Sequence, residues 1–345
     1  MKFSNLLIQW YLQNKRDLPW RNTTDPYQIW LSEIILQQTR VAQGLPYYIA
    51  FTEAFPTVFD LANADEEQVL KLWQGLGYYS RARNLHTTAQ YVVNELKGVF
   101  PDTYELLIQL KGVGAYTAAA VASFSSNEAV PVVDGNVYRV LARYFGVATD
   151  ISSSGANKEF TQLADELLDK KQPLLFNQAI MEFGALQCVP KNPDCSECVL
   201  QNGCVALQQK KVAEFPVKLK KLKITKRYFN YIVFKDELYS TIIQKREGKG
   251  IWQNLYEFPL IETPYFADEE EVLQLLLQNN FCELPVVNIR LLSPQNIVHK
   301  LSHQHLYVRF FEVAVQGELG NGLSHEELVK YPFPIVIFNF IEKYW

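Results

Sequence analysis

Residues 188–204 read CVPKNPDCSECVLQNGC, so four cysteines lie within seventeen residues at the spacing Cys-x6-Cys-x2-Cys-x5-Cys. Four thiolates in so short a loop can surround one [4Fe-4S] cluster. Structural zinc is the alternative, but zinc sites usually combine two close pairs of ligands, and only Cys195 and Cys198 form such a pair here. The fifth cysteine, Cys282, lies far along the chain, and we expect it to be a buried apolar residue.

The length and composition indicate a globular protein of a reducing compartment. A chain of 345 residues with 48% hydrophobic residues is sufficient for two buried cores. An odd number of cysteines, four of them clustered, argues against a disulfide framework. The N-terminus has no apolar signal-peptide run, and no segment approaches the roughly 18 unbroken apolar residues of a membrane span. We therefore expect a cytoplasmic monomer that does not associate with membranes.

The charge is distributed unevenly along the chain, although the net charge is −4. Residues 1–227 carry 24 Lys and Arg against 22 Asp and Glu, whereas residues 228–345 carry 9 against 15. The first part is therefore the better candidate for contact with phosphates. Much of its positive charge lies in residues 206–227, which can also be interpreted simply as a solvated linker.

The chain changes class at this basic segment. Residues 1–205 read as short helices separated by turns, and they include the cysteine loop. Residues 206–227 contain Pro216 and no convincing apolar face, and they form the predicted linker. Residues 228–345 begin a β-rich region with strands near 228–234 and 306–311. The predicted fold is therefore an all-α domain, a linker and an α+β domain.

One helix follows from its N-terminal signals. Asp25 is a suitable N-cap and Pro26 suits the first helical position, after which the apolar stripe comprises Tyr27, Trp30, Leu31, Ile34 and Ile35. Glu33 lies off this stripe. Its carboxylate is therefore either solvated, as for most helix glutamates, or directed into a cleft.

A predicted pair of helices, 102–110 and 115–124, is joined by residues 111–114, which read KGVG. Gly112 and Gly114 permit a tight turn, and the unpaired N–H groups of the second helix can hold a phosphate. Such a glycine turn is a weak signal by itself, because most of them only connect helices.

Four segments accompany the cysteine loop: LKGVGAYTA at 110–118, VVDGNV at 132–137, LPWR at 18–21 and WLSEIILQQT at 30–39. The first two, with the loop, resemble the helix-hairpin-helix DNA glycosylases of the endonuclease III superfamily. The last two are similar to the A/G-specific adenine glycosylases of that superfamily. Lys111 stands where this family often has proline, which should alter the stiffness of the hairpin rather than the chemistry.

This resemblance implies a bacterial base excision repair enzyme that is nucleoid-associated when bound to DNA, and removes adenine opposite 8-oxoguanine or guanine in duplex DNA. Cleavage of an N-glycosidic bond needs an acid for the leaving base and an anion for the oxocarbenium-like sugar. By resemblance, Glu33 protonates adenine N7 and helps to activate water, while Asp134 stabilises C1′ and bonds to it transiently. Tyr116 would orient Asp134, and Asn136 would assist at the sugar. Asp134 precedes Gly135 and could also simply cap a helix.

The resemblance assigns further contacts. Extruding a base costs a few kcal/mol, which intercalating side chains offset; these would be Gln38 and Tyr78, with Leu76 nearby. Leu18 and Trp20 could also be plain core residues. The adenine pocket would comprise Arg16, Leu18, Trp20, Arg21 and Gln178, the DNA backbone would contact Gly112 and Gly114, and the cluster ligands would be Cys188, Cys195, Cys198 and Cys204.

Tyr116 also separates two subfamilies. Bifunctional members open the DNA strand through a Schiff base and carry a lysine at this hairpin position, because that step needs a nucleophilic amine. Tyrosine cannot supply the amine, so the resemblance implies a monofunctional glycosylase.

The C-terminal domain resembles the Nudix-like fold through residues 250–259, which read GIWQNLYEFP. A Nudix hydrolase also needs an Arg-Glu-x2-Glu-Glu metal helix, and aligning Glu257 with the first glutamate of that signature places Tyr265 and Phe266 where Arg-Glu should be. The run 269–271 is better explained as the acidic first turn of a helix capped by Asp268. The resemblance implies recognition without hydrolysis.

In that recognition domain, Ser302 and His303 would read 8-oxoguanine, although they could also simply cap a loop. Leu301 replaces the aromatic residue usual in the family, which puts stacking or packing at this loop in question. Two other functions stay open, a non-catalytic DNA-binding protein and a nucleotide-pool hydrolase. The first does not need Glu33 and Asp134 beside a phosphate backbone that repels them, and the second lacks a complete metal helix.

Overall fold

The computed structural model describes residues 2–219, 223–279, 281–292 and 297–344. Lys220 and Lys221 of the predicted linker lie outside the described residues. The chain forms two compact units, one from Met1–Asn63 with Asn84–Lys220 and one from Ala64–Arg83 with Lys221–Trp345. The predicted fold class is confirmed, because the first unit is helical and the second combines a sheet with helices. Within the described ranges, no helix is long and apolar enough to cross a membrane.

Up to residue 208 the described chain is helical, with short 3-10 turns at Pro19–Arg21 and Gln201–Gly203. The helices are α1 (Phe3–Asn14), α2 (Pro26–Leu36), α3 (Val41–Ala54), α4 (Val58–Asn63), α5 (Glu66–Leu72), α6 (Ser80–Asn94), α7 (Tyr104–Leu107), α8 (Ala115–Ser126), α9 (Gly135–Phe145), α10 (Ala156–Leu167), α11 (Pro173–Leu186) and α12 (Val205–Gln208).

Helix α2 forms as its sequence predicts. The Asp25 carboxylate accepts the N–H of Tyr27 at 3.0 Å, and Pro26 occupies the first position. The helix ends at Leu36, and Gln38 follows in the left-handed region with a φ of 55°. Glu33 is buried rather than solvated, so the cleft alternative is the one observed.

The predicted helix 102–110 is wrong in length, because α7 covers only Tyr104–Leu107. After α7 the chain tightens into turns, since the N–H groups of Gln109 and Leu110 bond to carbonyls three residues earlier rather than four. Leu107 and Leu110 are both buried by this tighter winding. The second helix of the hairpin, α8, is confirmed and runs two residues further than predicted.

The predicted linker does have an apolar face, which corrects the sequence interpretation. Phe215 is buried in the core of the helical unit, with Val212 and Val217 packed against the same core. Its backbone is held as well, because the N–H of Ile151 donates to the carbonyl of Val217 at 3.0 Å. Three apolar residues spaced between lysines are therefore enough to fix this segment.

The second unit contains seven described strands and three further helices. They are β1 (Thr225–Lys235), β2 (Gln244–Lys245), β3 (Tyr256–Glu257), β4 (Leu260–Thr263), α13 (Glu269–Asn279), β5 (Val286–Leu291), β6 (Ile297–Lys300), β7 (Gln304–Val315), α14 (His325–Leu328) and α15 (Ile335–Tyr344). The main sheet has the order β4-β1-β7-β5, with β6 also paired to β7, and β2 pairs with β3. Strands β1 and β7 confirm both predicted β runs and lie parallel, with Tyr228 opposite Tyr307.

The core of this unit lies where α13 covers the sheet. Ile232, Phe311 and Val313 pack with Val272 and Leu276 of the helix. Cys282 packs against this cluster but is only half-buried, so the expectation of full burial is wrong. It follows the end of α13, where the sheet no longer covers both sides of the chain.

Candidate active site

A cavity of about 510 Å³ opens in the helical unit and brings most of the predicted site residues together. Its walls include Arg16, Leu18, Trp20, Arg21, Glu33, Tyr116, Asp134, Asn136 and Gln178. Helices α2, α8 and α9 supply the acidic and phenolic groups, and α11 supplies Gln178. Leu18 and Trp20 are both buried and also line the cavity, so packing and pocket formation are compatible for them.

Glu33 occupies the inner wall of this cavity as a buried carboxyl group. The hydroxyl of Tyr116 donates to its Oε2 at 2.5 Å. Burial raises the pKa of Glu33 to about 7, with the charge of Asp134 adding to the rise and with Tyr116 and Arg21 opposing it. Glu33 is therefore partly protonated near neutral pH and can act as a proton donor.

Asp134 caps α9, as one alternative from the sequence predicts. Its Oδ1 accepts the N–H groups of Asn136 and Val137, both at 2.8 Å, and its Oδ2 accepts Nδ2 of Asn136 at 2.7 Å. Burial raises the pKa of Asp134, while these bonds and the charge of Arg139 lower it. The two carboxyls of the cavity are thus held by different surroundings.

The position of Tyr116 corrects its predicted task. Its hydroxyl contacts Glu33, whereas the sequence interpretation had it orient Asp134. Burial raises the pKa of the phenol, and the charges of Glu33 and Asp134 raise it further, so Tyr116 stays protonated and acts as a donor. Asn136 is the side chain that contacts Asp134 instead.

Asn136 also joins Asp134 to the cysteine loop. Its Oδ1 accepts Nη2 of Arg139 at 2.8 Å, and Nε of Arg139 donates to the carbonyl of Cys188 at 2.7 Å. The next helical turn supplies Arg143, whose Nη1 lies 3.4 Å from the sulfur of Cys188. One face of α9 therefore contacts both the cavity and the loop.

Glu182 is a site residue that the sequence interpretation missed. It lines the cavity with a side chain only 1% exposed, and Arg16 and Arg21 each donate two side-chain hydrogen bonds to its carboxylate. Burial opposes ionisation, but these bonds hold the pKa of Glu182 at about 2. The available signal was its spacing from Gln178, because residues i and i+4 share a helix face. Gln178 itself accepts the hydroxyl of Tyr11 at 2.5 Å.

The four clustered cysteines line one small cavity of about 30 Å³ and carry free thiols. Burial raises the pKa of Cys198 to about 11, and the neighbouring cysteines add to this. Arg143 brings positive charge to the sulfur of Cys188. Within the described residues, no three His, Cys, Asp or Glu side chains converge as ligands of a single metal ion.

The hairpin between α7 and α8 has the tight turn that its glycines predict. Gly112 has a φ of 76°, and a Cβ there would lie 2.7 Å from Cβ of Asn84, so the position requires glycine. Gly114 is the N-cap residue of α8. The carbonyl of Lys111 accepts the hydroxyl of Thr88 at 2.7 Å, which ties the turn to α6 without the proline that the family often has.

The second unit contains a cavity of about 520 Å³ lined by residues 75–80, Trp252 and residues 299–304. Tyr78 is 48% exposed there, whereas Leu76 is buried. Ser302 and His303 are exposed on the turn between β6 and β7. Gln38, the other predicted intercalating residue, belongs to the helical unit.

Glu257, the first glutamate of the proposed Nudix alignment, is engaged in the core. Nη1 of Arg246 bonds to both of its oxygens at 2.7 and 2.6 Å, and the hydroxyl of Tyr231 donates to it at 3.1 Å. Phe266, aligned with a metal-helix position, packs edge-on against Tyr228 and Tyr307. The acidic first turn of α13 and its cap by Asp268 are confirmed.

Comparisons with known proteins agree with both units. The profile of the HhH-GPD superfamily base excision DNA repair proteins matches residues 31–166, and that of the NUDIX domain matches residues 230–343. The chain is 34% identical over 311 residues to the adenine DNA glycosylase of Buchnera aphidicola subsp. Acyrthosiphon pisum, which covers 89% of this chain and 85% of that protein. It is 46% identical over 216 residues to the adenine DNA glycosylase of Homo sapiens, covering 60% of this chain and 40% of that one.

Solved structures resemble the helical part. A thermostable thymine-DNA glycosylase superimposes with a TM-score of 0.56 at 29% identity, over 60% of this chain and 95% of its own. Endonuclease III trapped as a covalent intermediate with DNA gives a TM-score of 0.53 at 20% identity, over 60% and 94% of the two chains. The second likeness supports the fold alone.

Proposed function

Because the chain belongs to the adenine DNA glycosylases, enzymes of base excision repair, we propose that it excises adenine paired with 8-oxoguanine or guanine in duplex DNA, as a monofunctional hydrolase. The observation that carries this proposal is the pair of buried carboxyls, Glu33 and Asp134, on one cavity. A protein that only binds DNA has no use for two acids there, since a phosphate backbone repels them.

In the proposed reaction the two carboxyls have separate tasks. Glu33, with a pKa near 7, donates a proton to N7 of the extruded adenine, which makes the base a better leaving group. Asp134 stabilises the positive charge that develops at C1′ of the sugar. Glu33, ionised after the transfer, then accepts a proton from the attacking water. Asn136 donates to Asp134 and thereby fixes the carboxylate in place.

The remaining cavity residues would bind the base. Arg16 and Arg21 are held by Glu182, and Gln178 is oriented by Tyr11, so polar groups converge at fixed positions. Trp20 and Leu18 would supply the apolar walls. Gly112 and Gly114 would let the DNA backbone approach the hairpin closely.

We infer that Cys188, Cys195, Cys198 and Cys204 hold a [4Fe-4S] cluster. Four free thiols lining one cavity are a suitable donor set, and Arg143 beside Cys188 offsets the negative charge of thiolate ligands. When bound, such a cluster would cross-link residues 188–204 and keep that loop folded. The carbonyl of Cys188 holds Arg139, so a folded loop also supports the contacts of Asn136 and Asp134.

Specificity for the mispair would arise outside the adenine pocket. Tyr78 and Gln38 would fill the stack after extrusion, with Leu76 as buried support. Ser302 and His303 would contact 8-oxoguanine, which differs from guanine by an oxygen at C8 and a hydrogen on N7. Glu257 is engaged by Arg246 and Tyr231, which supports recognition without nucleotide hydrolysis.

A glycosylase assay tests the proposal. Excision is measured under single-turnover conditions on duplexes with adenine opposite 8-oxoguanine, guanine, cytosine or thymine, at one salt concentration because DNA affinity varies with salt. We expect activity on the first two and loss of about 10² to 10⁴ in rate for Glu33→Gln, which keeps the shape of the side chain without the proton. Equal rates on all four duplexes would reject the specificity, and a Gln variant close to wild type would reject the acid.

A further inference from the structure

Two exposed hydroxyls, those of Tyr78 and Ser302, lie 2.5 Å apart in the second unit. The tyrosine is 48% exposed and the serine is exposed as well. A hydrogen bond between exposed hydroxyls exchanges with bonds to water and contributes little to folding. Its consequence is orientation, because each hydroxyl fixes the rotor of the other.

The backbone of Tyr78 is held in a conformation that tyrosine rarely adopts. Gly77 and Tyr78 have φ values of 73° and 49°, both in the left-handed region. The carbonyl of Gly77 accepts Nε1 of Trp73 at 3.0 Å and Nη2 of Arg81 at 3.2 Å, and the N–H of Arg81 donates to the carbonyl of Tyr78 at 2.9 Å. A strained residue that its surroundings fix so fully is typical of a functional position.

The backbone of Ser302 is fixed by the sheet. The N–H of Leu301 donates to the carbonyl of Gln304 at 2.8 Å, which closes the turn between β6 and β7. The N–H of Thr225 at the start of β1 donates to the carbonyl of His303 at 3.0 Å. The serine Cα is therefore well placed, and the orientation of its hydroxyl depends on the contact with Tyr78.

We propose that Tyr78 is a specificity-determining positioning residue: its hydroxyl accepts the proton of Ser302, so that Ser302 presents only lone pairs to the purine. This inference rests on the proposed reading of 8-oxoguanine by Ser302. Lone pairs suit the N7–H of 8-oxoguanine and repel the N7 of guanine, which is itself an acceptor. The same ring that fills the DNA stack therefore also sets which purine Ser302 accepts.

The test is a double-mutant cycle with Tyr78→Phe, Ser302→Ala and the double variant, on duplexes with adenine opposite 8-oxoguanine and opposite guanine. Phenylalanine keeps the ring and frees the Ser302 hydroxyl to turn among about three staggered positions. We expect the preference for the 8-oxoguanine duplex to fall about 3- to 10-fold, mainly through faster excision opposite guanine. In the Ser302→Ala background, Tyr78→Phe should change the preference less than about twofold, because the partner is already absent.

Tyr91→Phe is the matched control, since Tyr91 on α6 is also 48% exposed. It should keep the wild-type preference, and thermal unfolding should show that each variant is folded. Loss of preference in Ser302→Ala without loss in Tyr78→Phe, or additive effects in the cycle, would overturn the positioning role alone. An unchanged preference in Ser302→Ala would overturn both that role and the proposed lesion reading.

Discussion

The rate of adenine excision should follow the ionisation of Glu33. Burial raises the pKa of this carboxyl to about 7, and only the protonated form can donate to the base. The rate constant of the chemical step should therefore be level below the pKa and fall about tenfold per pH unit above it. An unperturbed glutamate would place this alkaline limb near pH 4, because the usual pKa is about 4.3.

Tyr116→Phe tests the cause of this pKa. The hydroxyl of Tyr116 donates to Oε2 of Glu33 and so stabilises the ionised form, which lowers the pKa. Removing the hydroxyl should raise the pKa of Glu33 further and move the alkaline limb to higher pH. A hydrogen bond to a charged group contributes about 1.5 to 3 kcal/mol. One pKa unit corresponds to about 1.36 kcal/mol, so the expected displacement is about 1 to 2 pH units.

The assay is single-turnover excision from a duplex with adenine opposite 8-oxoguanine, measured from about pH 5 to about pH 9 for wild type, Tyr116→Phe and Glu33→Gln. The Gln variant should be slow at every pH and should lack the alkaline limb. A limb that persists in the Gln variant would show that another group titrates. A limb that stays in place or moves to lower pH in the Phe variant would refute the role of Tyr116 as a donor to the carboxylate.

Three further outcomes are expected. Anaerobically purified protein should contain about four irons per chain, and Cys198→Ser should lose iron while Cys282→Ser keeps it; zinc without iron would contradict the cluster. Glu182→Gln should lower the free energy of unfolding by about 3 kcal/mol in denaturant titrations, because its two arginines would lose their buried counter-charge; a change near zero would contradict this. Tyr116→Lys should gain covalent trapping on DNA with borohydride, whereas the wild type should show none.

Local signals in the sequence predicted the elements that carry the site. Asp25 with Pro26 predicts the start of α2, and Asp134 before Gly135 predicts the cap of α9. Both caps form with the expected side-chain bonds. These signals succeed because a cap depends on residues within one helical turn.

Environments built from distant residues could not be predicted in this way. Glu33 lies off the apolar stripe of α2, and only Tyr116, 83 positions away, converts an unremarkable helix glutamate into a buried acid. Glu182 is defined by arginines 166 and 161 positions earlier. The family resemblance named the arginines and placed them at the base, without the carboxylate that fixes them.

The length of α7 and the docking of Phe215 failed for a related reason. Periodicity supports a helix over 102–110, yet burial of both Leu107 and Leu110 favours the tighter turns observed. The lysines around Phe215 suggest a solvated segment, while a single buried aromatic ring suffices to hold it. In both cases packing against distant residues outweighs local composition.

The two tasks of Asp134, capping α9 and facing the sugar, are compatible because they use different oxygens. Oδ1 accepts two backbone N–H groups and is saturated by them, since a carboxylate oxygen has two lone-pair directions. Oδ2 accepts Nδ2 of Asn136, its one hydrogen bond within the described part of the chain. Its second lone pair is therefore available to a cation that develops at C1′. The cap fixes the group and supports its ionised form, while burial strengthens its interaction with the cation, so the end of the helix is a suitable place for the anion that the reaction requires.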